Sequence, residues 1–170
     1  MSLLIKKLFK NLDLINMNKP KQIIILCGIP CSGKSTWAKT NQSFYSEIIS
    51  RDTIRENSFL NYKFSKRNED IVTENLLFTV ERCLEYSNPI KIIILDSCHT
   101  KEKYLDEIIK EYKNKHFIIN IKFFDIPLWK AHYRNIIRYL ITGKWIPIKV
   151  INSMYKNYNK INKNKYKQYV

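Results

Sequence analysis

The stretch CGIPCSGKSTWAK, residues 27–39, carries two of the chain's three glycines and follows a run, 21–27, that is β-branched and apolar without alternation. Such a run is a strand buried on both faces of a parallel sheet. A strand, then Gly28-x-x-x-x-Gly33-Lys34-Ser35, then a helix is a phosphate-binding loop. In that loop backbone N–H groups and a helix N-terminus converge on an anion, and glycine is needed where a side chain would block the approach. Gly28, Ile29, Pro30, Cys31, Ser32, Gly33, Lys34, Ser35 and Thr36 are therefore expected to cradle the phosphates of ATP or another nucleoside triphosphate. Lys34 would reach the β and γ phosphates and Ser35 would hold Mg²⁺.

The rest of the chain repeats the alternation. A helix is expected from about residue 35, then a short apolar stretch, Ile48-Ile49, ending in Ser50-Arg51-Asp52. A helix-prone segment over 68–86 precedes a second apolar strand, 90–95, closed by Asp96. A helix near 101–112 leads to a strand over 116–124. Two helices follow, 128–141 and 148–158, separated by a break at 143–147. Strands alternating with helices give an α/β fold with a parallel sheet, and with the phosphate loop the expectation is a P-loop NTPase of kinase type. Its expected form is a central parallel sheet of about four strands flanked by helices, with a helical lid in the C-terminal third. Ligands in such sheets bind at the carboxyl ends of the strands.

At 170 residues and 45% hydrophobic, the chain is sized for one domain with a real core. The expected division is an amphipathic extension over 1–19, the domain over 20–159, and a basic, solvated tail over 160–170. The extension places Leu4, Ile5, Leu8, Phe9, Leu12 and Ile15 on one stripe. It has no arginine and contains Asp13, which disfavours a transit peptide, so it reads as a packing helix or a leader ahead of Met17. No apolar run approaches the roughly 18 residues of a membrane span, and no stable membrane association is expected. Cys27, Cys31, Cys83 and Cys98 form no C-x-x-C pair, which excludes the usual zinc spacings and suits a reducing, cytoplasmic setting.

Thirty Lys and Arg against fifteen Asp and Glu give a formal charge of +15 and favour a polyanionic partner. Lysine is the default cation everywhere in the chain, so part of that charge is compositional. Arginine stands only at positions 51, 55, 67, 82, 134 and 138. A planar fork at a phosphate site is not replaceable by an ammonium, so arginine marks the places where geometry matters.

Three strand ends thus bring the phosphate loop, Arg51-Asp52 and Asp96-Ser97 to one edge. Transfer of a γ-phosphoryl group needs a carboxylate for the acceptor hydroxyl and cations for the phosphate oxygens. Asp52 is the candidate base, although the same position suits a helix N-cap. Arg55 lies three residues on, where it would hold a phosphate of the acceptor. Asp96 would bind Mg²⁺ through water or brace Arg55. Arg134 and Arg138, four apart, project from one face of the lid helix.

The segments GIPCSGKSTWA, SRDTIR, LDS, FFDIP, RNIIR and IPIKVINSMYK, in this order and spacing, resemble the 5′-kinase domain of the phage polynucleotide kinase-phosphatase. The resemblance runs over about 21–158. It implies that Lys34 and Ser35 serve phosphate and Mg²⁺, that Asp52 is the general base, and that Arg55 meets the acceptor's 3′-phosphate. It further implies an acceptor-side or bracing role for Asp96 beside Ser97, with Arg134 on the nucleotide and Arg138 on the transferring phosphate. The expected activity is ATP-dependent phosphorylation of a 5′-hydroxyl end of DNA or RNA for end repair. A separate ligase or 3′-phosphatase would be its partner, and a phage or viral source suits the resemblance. The sequence departs from the family at Cys31, where the family has glycine, and over 59–69, and no D-x-D-x-T phosphatase motif is present. Two other readings stay open: a kinase of a small-molecule hydroxyl, and a nucleic-acid-binding module with an inactive nucleotide site.

Overall fold

The computed structural model describes residues 21–59, 65–85, 89–113 and 117–170. The extension expected over 1–19 lies outside the described residues. The chain runs β1 (Gln22–Cys27), α1 (Lys34–Thr40), β2 (Ser46–Ser50), α2 (Arg51–Ser58), α3 (Lys66–Leu84), β3 (Ile92–Asp96), α4 (Glu102–Lys113), β4 (Ile118–Phe123), α5 (Leu128–Thr142) and α6 (Ile148–Tyr158), ending in a 3₁₀ helix at Lys163–Tyr169.

The four strands form one parallel sheet in the order β2-β3-β1-β4. Register fixes what meets at the carboxyl edge. Ile25 is paired with Leu95, Ser50 with Asp96, and Cys27 with Phe123. The phosphate loop after β1 is therefore flanked by Asp96 on one side and by the strand feeding the lid on the other. Asp52, two residues beyond the Ser50 that pairs with Asp96, opens α2 at the same edge.

β1 is the centre of the core: Ile23, Ile25, Leu26 and Cys27 are fully buried. One face of the sheet packs with Val80, Cys83, Leu105, Ile109, Ala131 and Ile151 from four helices, while Leu26, Ile94 and Ala38 of α1 pack on the other. This two-sided burial is why β1 and β3 read as unbroken apolar runs.

One expectation is corrected here. Residues 160–170 are basic but are not a solvated tail, because Ile161 and Tyr166 belong to the core, 6% and 1% exposed. The Tyr166 hydroxyl donates to Asp106 at 2.8 Å, and Lys165 bonds Glu102 and Asp106 at 2.9 and 2.7 Å. Apolar residues placed among lysines let the segment bury its rings while its ammonium groups snorkel to α4 and water.

His99, just past β3, directs Nδ1 at the Leu26 carbonyl, 2.9 Å away, and its own carbonyl accepts from Cys27 Sγ at 2.7 Å. Burial holds its pKa down at about 4, outweighing the Leu26 hydrogen bond that raises it. A group whose folded pKa is depressed in this way destabilises the fold when it protonates. Stability is fully present above the unfolded value of about 6.5 and falls as pH drops toward 4. Between pH 7 and pH 5 the wild type is expected to lose on the order of 1–2 kcal/mol that a His99→Asn variant does not lose, measured as the shift of the urea midpoint in both.

Candidate active site

The phosphate loop is built by two left-handed residues. Gly33 caps α1 at φ 100°, and Cys31 stands at φ 61°. Cys31 occupies the position where the resembling family has glycine, and a side chain there costs about 1 kcal/mol of backbone strain. Gly28 has a packing reason beside the expected one. A Cβ at this position would come within 2.9 Å of Phe124 Cβ and of Ser32 Oγ, so the glycine admits the β4 exit and not only the phosphate. Gly28→Ala is expected to cost about 1–3 kcal/mol and to weaken nucleotide binding by displacing Phe124, read by thermal denaturation and nucleotide titration.

Lys34 is buried, its ammonium donating to the Ile29 carbonyl at 2.7 Å and Ser32 Oγ at 3.3 Å. Cys31, Ser32, Gly33, Lys34, Ser35, Thr36, Asp52, Arg134 and Arg138 line one cavity of about 770 Å³. Of the other loop residues, Ile29 is buried in the core and Pro30 is buried beside it. The lid is tied to the loop through Arg134, whose Nη1 donates to the Cys31 carbonyl at 3.2 Å. The fully buried Asn135 holds the lid loop, bonding both the carbonyl and the N–H of Ile146.

On the acceptor side, Asp52 is exposed in the first turn of α2 and pairs with Arg55 at 2.5 Å. The N-cap position of α2 is held by Ser50, whose side chain makes no capping bond, so Asp52 is not the N-cap. Arg55 is gripped by Glu69 of α3 through Nε and Nη2, at 2.8 and 2.9 Å, and Arg51 reaches the same carboxylate at 2.9 Å. Glu69, from α3, thus braces Arg55. Sequence reasoning missed Glu69, which lies in the 59–69 segment that matched the family poorly. The signal was a carboxylate in the first turn of a helix, an ordinary helix feature that marks no site by itself.

Asp96 is 9% exposed, and no bond or ion pair from another described residue engages its carboxylate. Ser97 Oγ is buried with no partner among the described residues. Asp96 ends β3 and Ser35 lies in the first turn of α1; a carboxylate and a hydroxyl are hard oxygen donors of the kind Mg²⁺ takes, few of them from protein, with water and phosphate oxygens completing its shell. The cavity also extends over Trp37, Thr40, Asn41 and Phe124, none of them expected from the sequence. Trp37 and Asn41 lie one turn apart on α1, and Trp37 meets Phe124 edge-on with centroids 6.2 Å apart. This extension gives the cavity an apolar wall.

The model of the AAA domain family AAA_33 matches residues 23–161. The chain belongs to that family. The AAA domain here is a P-loop NTPase of kinase type, its four-stranded parallel sheet matching that fold, and it is nucleotide-binding by construction. It is 32% identical over 145 residues to the L-seryl-tRNA(Sec) kinase of Methanococcus maripaludis, a match covering 81% of this chain and 52% of that protein. Among solved structures it is similar to a chain of the Pnkp1/Rnl/Hen1 RNA repair complex, with TM-score 0.74 and 26% identity over 87% of this chain and 47% of that one. A second structure of the Pnkp1/Rnl/Hen1 complex matches with TM-score 0.59 and 25% identity over 69% and 41% of the respective chains. The AAA domain thus spans about half the length of the relatives it matches. The resemblance read from the motifs agrees with these neighbours. No helix among the described residues is long and apolar enough to cross a membrane.

Proposed function

We propose that this kinase transfers the γ-phosphoryl group of ATP to the 5′-hydroxyl end of a nucleic acid. The observation that carries the reading is that Asp52 opens into the same cavity as Lys34 and Arg138 while Glu69 holds Arg55 against it. A carboxylate beside a fixed guanidinium suits an acceptor whose hydroxyl and phosphate belong to one terminal nucleotide. In this reading Arg55 binds the 3′-phosphate of the acceptor and Asp52 aligns the 5′-hydroxyl. As the acceptor oxygen bonds to the γ phosphorus, its proton passes to Asp52 and the bond to the ADP oxygen breaks. Lys34 and Arg138 neutralise the equatorial oxygens, and Arg134 steadies the nucleotide. Mg²⁺, held by Ser35 with Asp96 through water, would supply further neutralisation of phosphate charge. The solved neighbours, taken from an RNA repair complex, support an acceptor of this class and a ligase partner.

The curated relative favours a second reading, in which the hydroxyl is carried by an aminoacyl group on RNA. Incubation with γ-labelled ATP and a 5′-hydroxyl oligonucleotide, followed by nuclease digestion, separates the two from each other. Label released in the 5′-terminal nucleotide is the expected result. No transfer to any 5′-hydroxyl strand would overturn the proposal.

A further inference from the structure

The 45 residues from 126 to 170 contain ten Lys or Arg, eight aromatic residues, and no Asp or Glu. Four of those aromatics are exposed, all on the lid: Trp129, Tyr133, Tyr139 and Trp145. Two of them form a built pair. Gly143, at φ 70°, closes α5 by donating its N–H to the Tyr139 carbonyl at 2.8 Å, and the chain reverses so that Trp145 meets Tyr139 edge-on, centroids 5.9 Å apart. The two bonds between Asn135 and Ile146 fix the loop in that position. Even so paired, Tyr139 and Trp145 remain 51% and 45% exposed.

The place of this pair gives it meaning. Lys144, between the two rings in sequence, forms an ion pair with Glu56 of α2. Asp52, Arg55 and Glu56 stand at i, i+3 and i+4, on one face of that helix. Glu56 lies one helical turn from Asp52, so the Lys144 ion pair ties the loop that carries Trp145 to the acceptor-side helix α2.

We propose that Tyr139 and Trp145 form a stacking platform for the bases that follow the acceptor's terminal nucleotide, so that the preferred acceptor is a single-stranded polynucleotide. The inference rests on the acceptor class proposed above. Rigid aromatic rings beside cations are how single strands are held without sequence preference, because every base has a π-face and every linkage a negative charge. The absence of any Asp or Glu after Asp125 suits a polyanion, and the exposed rings beside the cations favour one that carries bases. Leu140 and Ile141, both 76% exposed on the same helix, make self-association of the chain the outcome that the test must separate from strand binding.

The test uses two 5′-hydroxyl acceptors, a 3′-phosphorylated mononucleotide and a fluorescein-labelled octamer, with Tyr139→Ala, Trp145→Ala and Trp145→Phe variants of the full chain. Octamer binding is read by anisotropy without ATP, turnover by phosphate transfer, and association state by sedimentation. The expected result is about a tenfold or greater loss of octamer affinity in both alanine variants, near-wild-type binding by Trp145→Phe, and an unchanged mononucleotide KM. Unchanged octamer affinity in the alanine variants overturns the platform, as does a wild-type dimer that these substitutions dissociate without altering octamer binding. Loss of octamer binding in the alanine variants of a protein that phosphorylates no 5′-hydroxyl would leave the platform standing and remove the proposed reaction.

Discussion

Replacing Asp52 with asparagine is expected to lower kcat by about 10²–10⁴ while leaving nucleotide affinity almost unchanged. Asparagine keeps the size of the side chain and an oxygen for Arg55, so α2 and the guanidinium stay in place. What is lost is the negative charge that, in the proposed reaction, receives the acceptor's proton. Lys34→Ala is the contrasting variant, since Lys34 lies in the phosphate loop itself, and it should weaken ATP binding as well as turnover. Isothermal titration of a non-hydrolysable ATP analogue, alongside steady-state transfer, separates the two. Equal loss of nucleotide binding in both variants would mean that Asp52 supports the donor site and is not the base.

Removing residues 160–170 is expected to destabilise the whole domain. The segment contributes Ile161 and Tyr166 to the core, and deleting a large buried side chain costs about 2–5 kcal/mol against a total stability of about 5–15 kcal/mol. It also strips α4 of the bonds that Glu102 and Asp106 make with Lys165 and Tyr166. The truncated chain should lose cooperative unfolding at room temperature or melt more than about 10 °C below the full chain, and Tyr166→Ala should give about half that shift. A truncation that melts with the full chain would restore the solvated-tail reading.

Much of the fold was legible because its periods are strong. β1 and β3 are continuous apolar runs, α5 and α6 are bounded by Pro127, Gly143 and Pro147, and each was placed within a few residues. The donor half of the site was legible for the same reason, since the loop chemistry is written in consecutive residues from Gly28 to Thr36. The acceptor half was less so. Asp52 and Arg55 are neighbours in sequence, but Glu69 reaches them from another helix, and only the packing of α3 on α2 brings it there. Trp37, Asn41 and Phe124 escaped notice because their shared cavity wall exists only once β4 pairs with β1. The C-terminal segment misled because a high density of lysine and asparagine hid two residues, Ile161 and Tyr166, whose burial depends on a surface between α4 and β4.

The central claim is tested most directly by comparing kcat/KM across acceptors at one ATP concentration. The set is a 5′-hydroxyl oligonucleotide, the same strand with a 5′-phosphate, a seryl-tRNA, and small alcohols including glycerol and a free nucleoside. The account predicts that the 5′-hydroxyl strand exceeds every other acceptor by about a hundredfold or more and that the 5′-phosphorylated strand accepts nothing. A seryl-tRNA or a small alcohol phosphorylated as efficiently as the 5′-hydroxyl strand would contradict it.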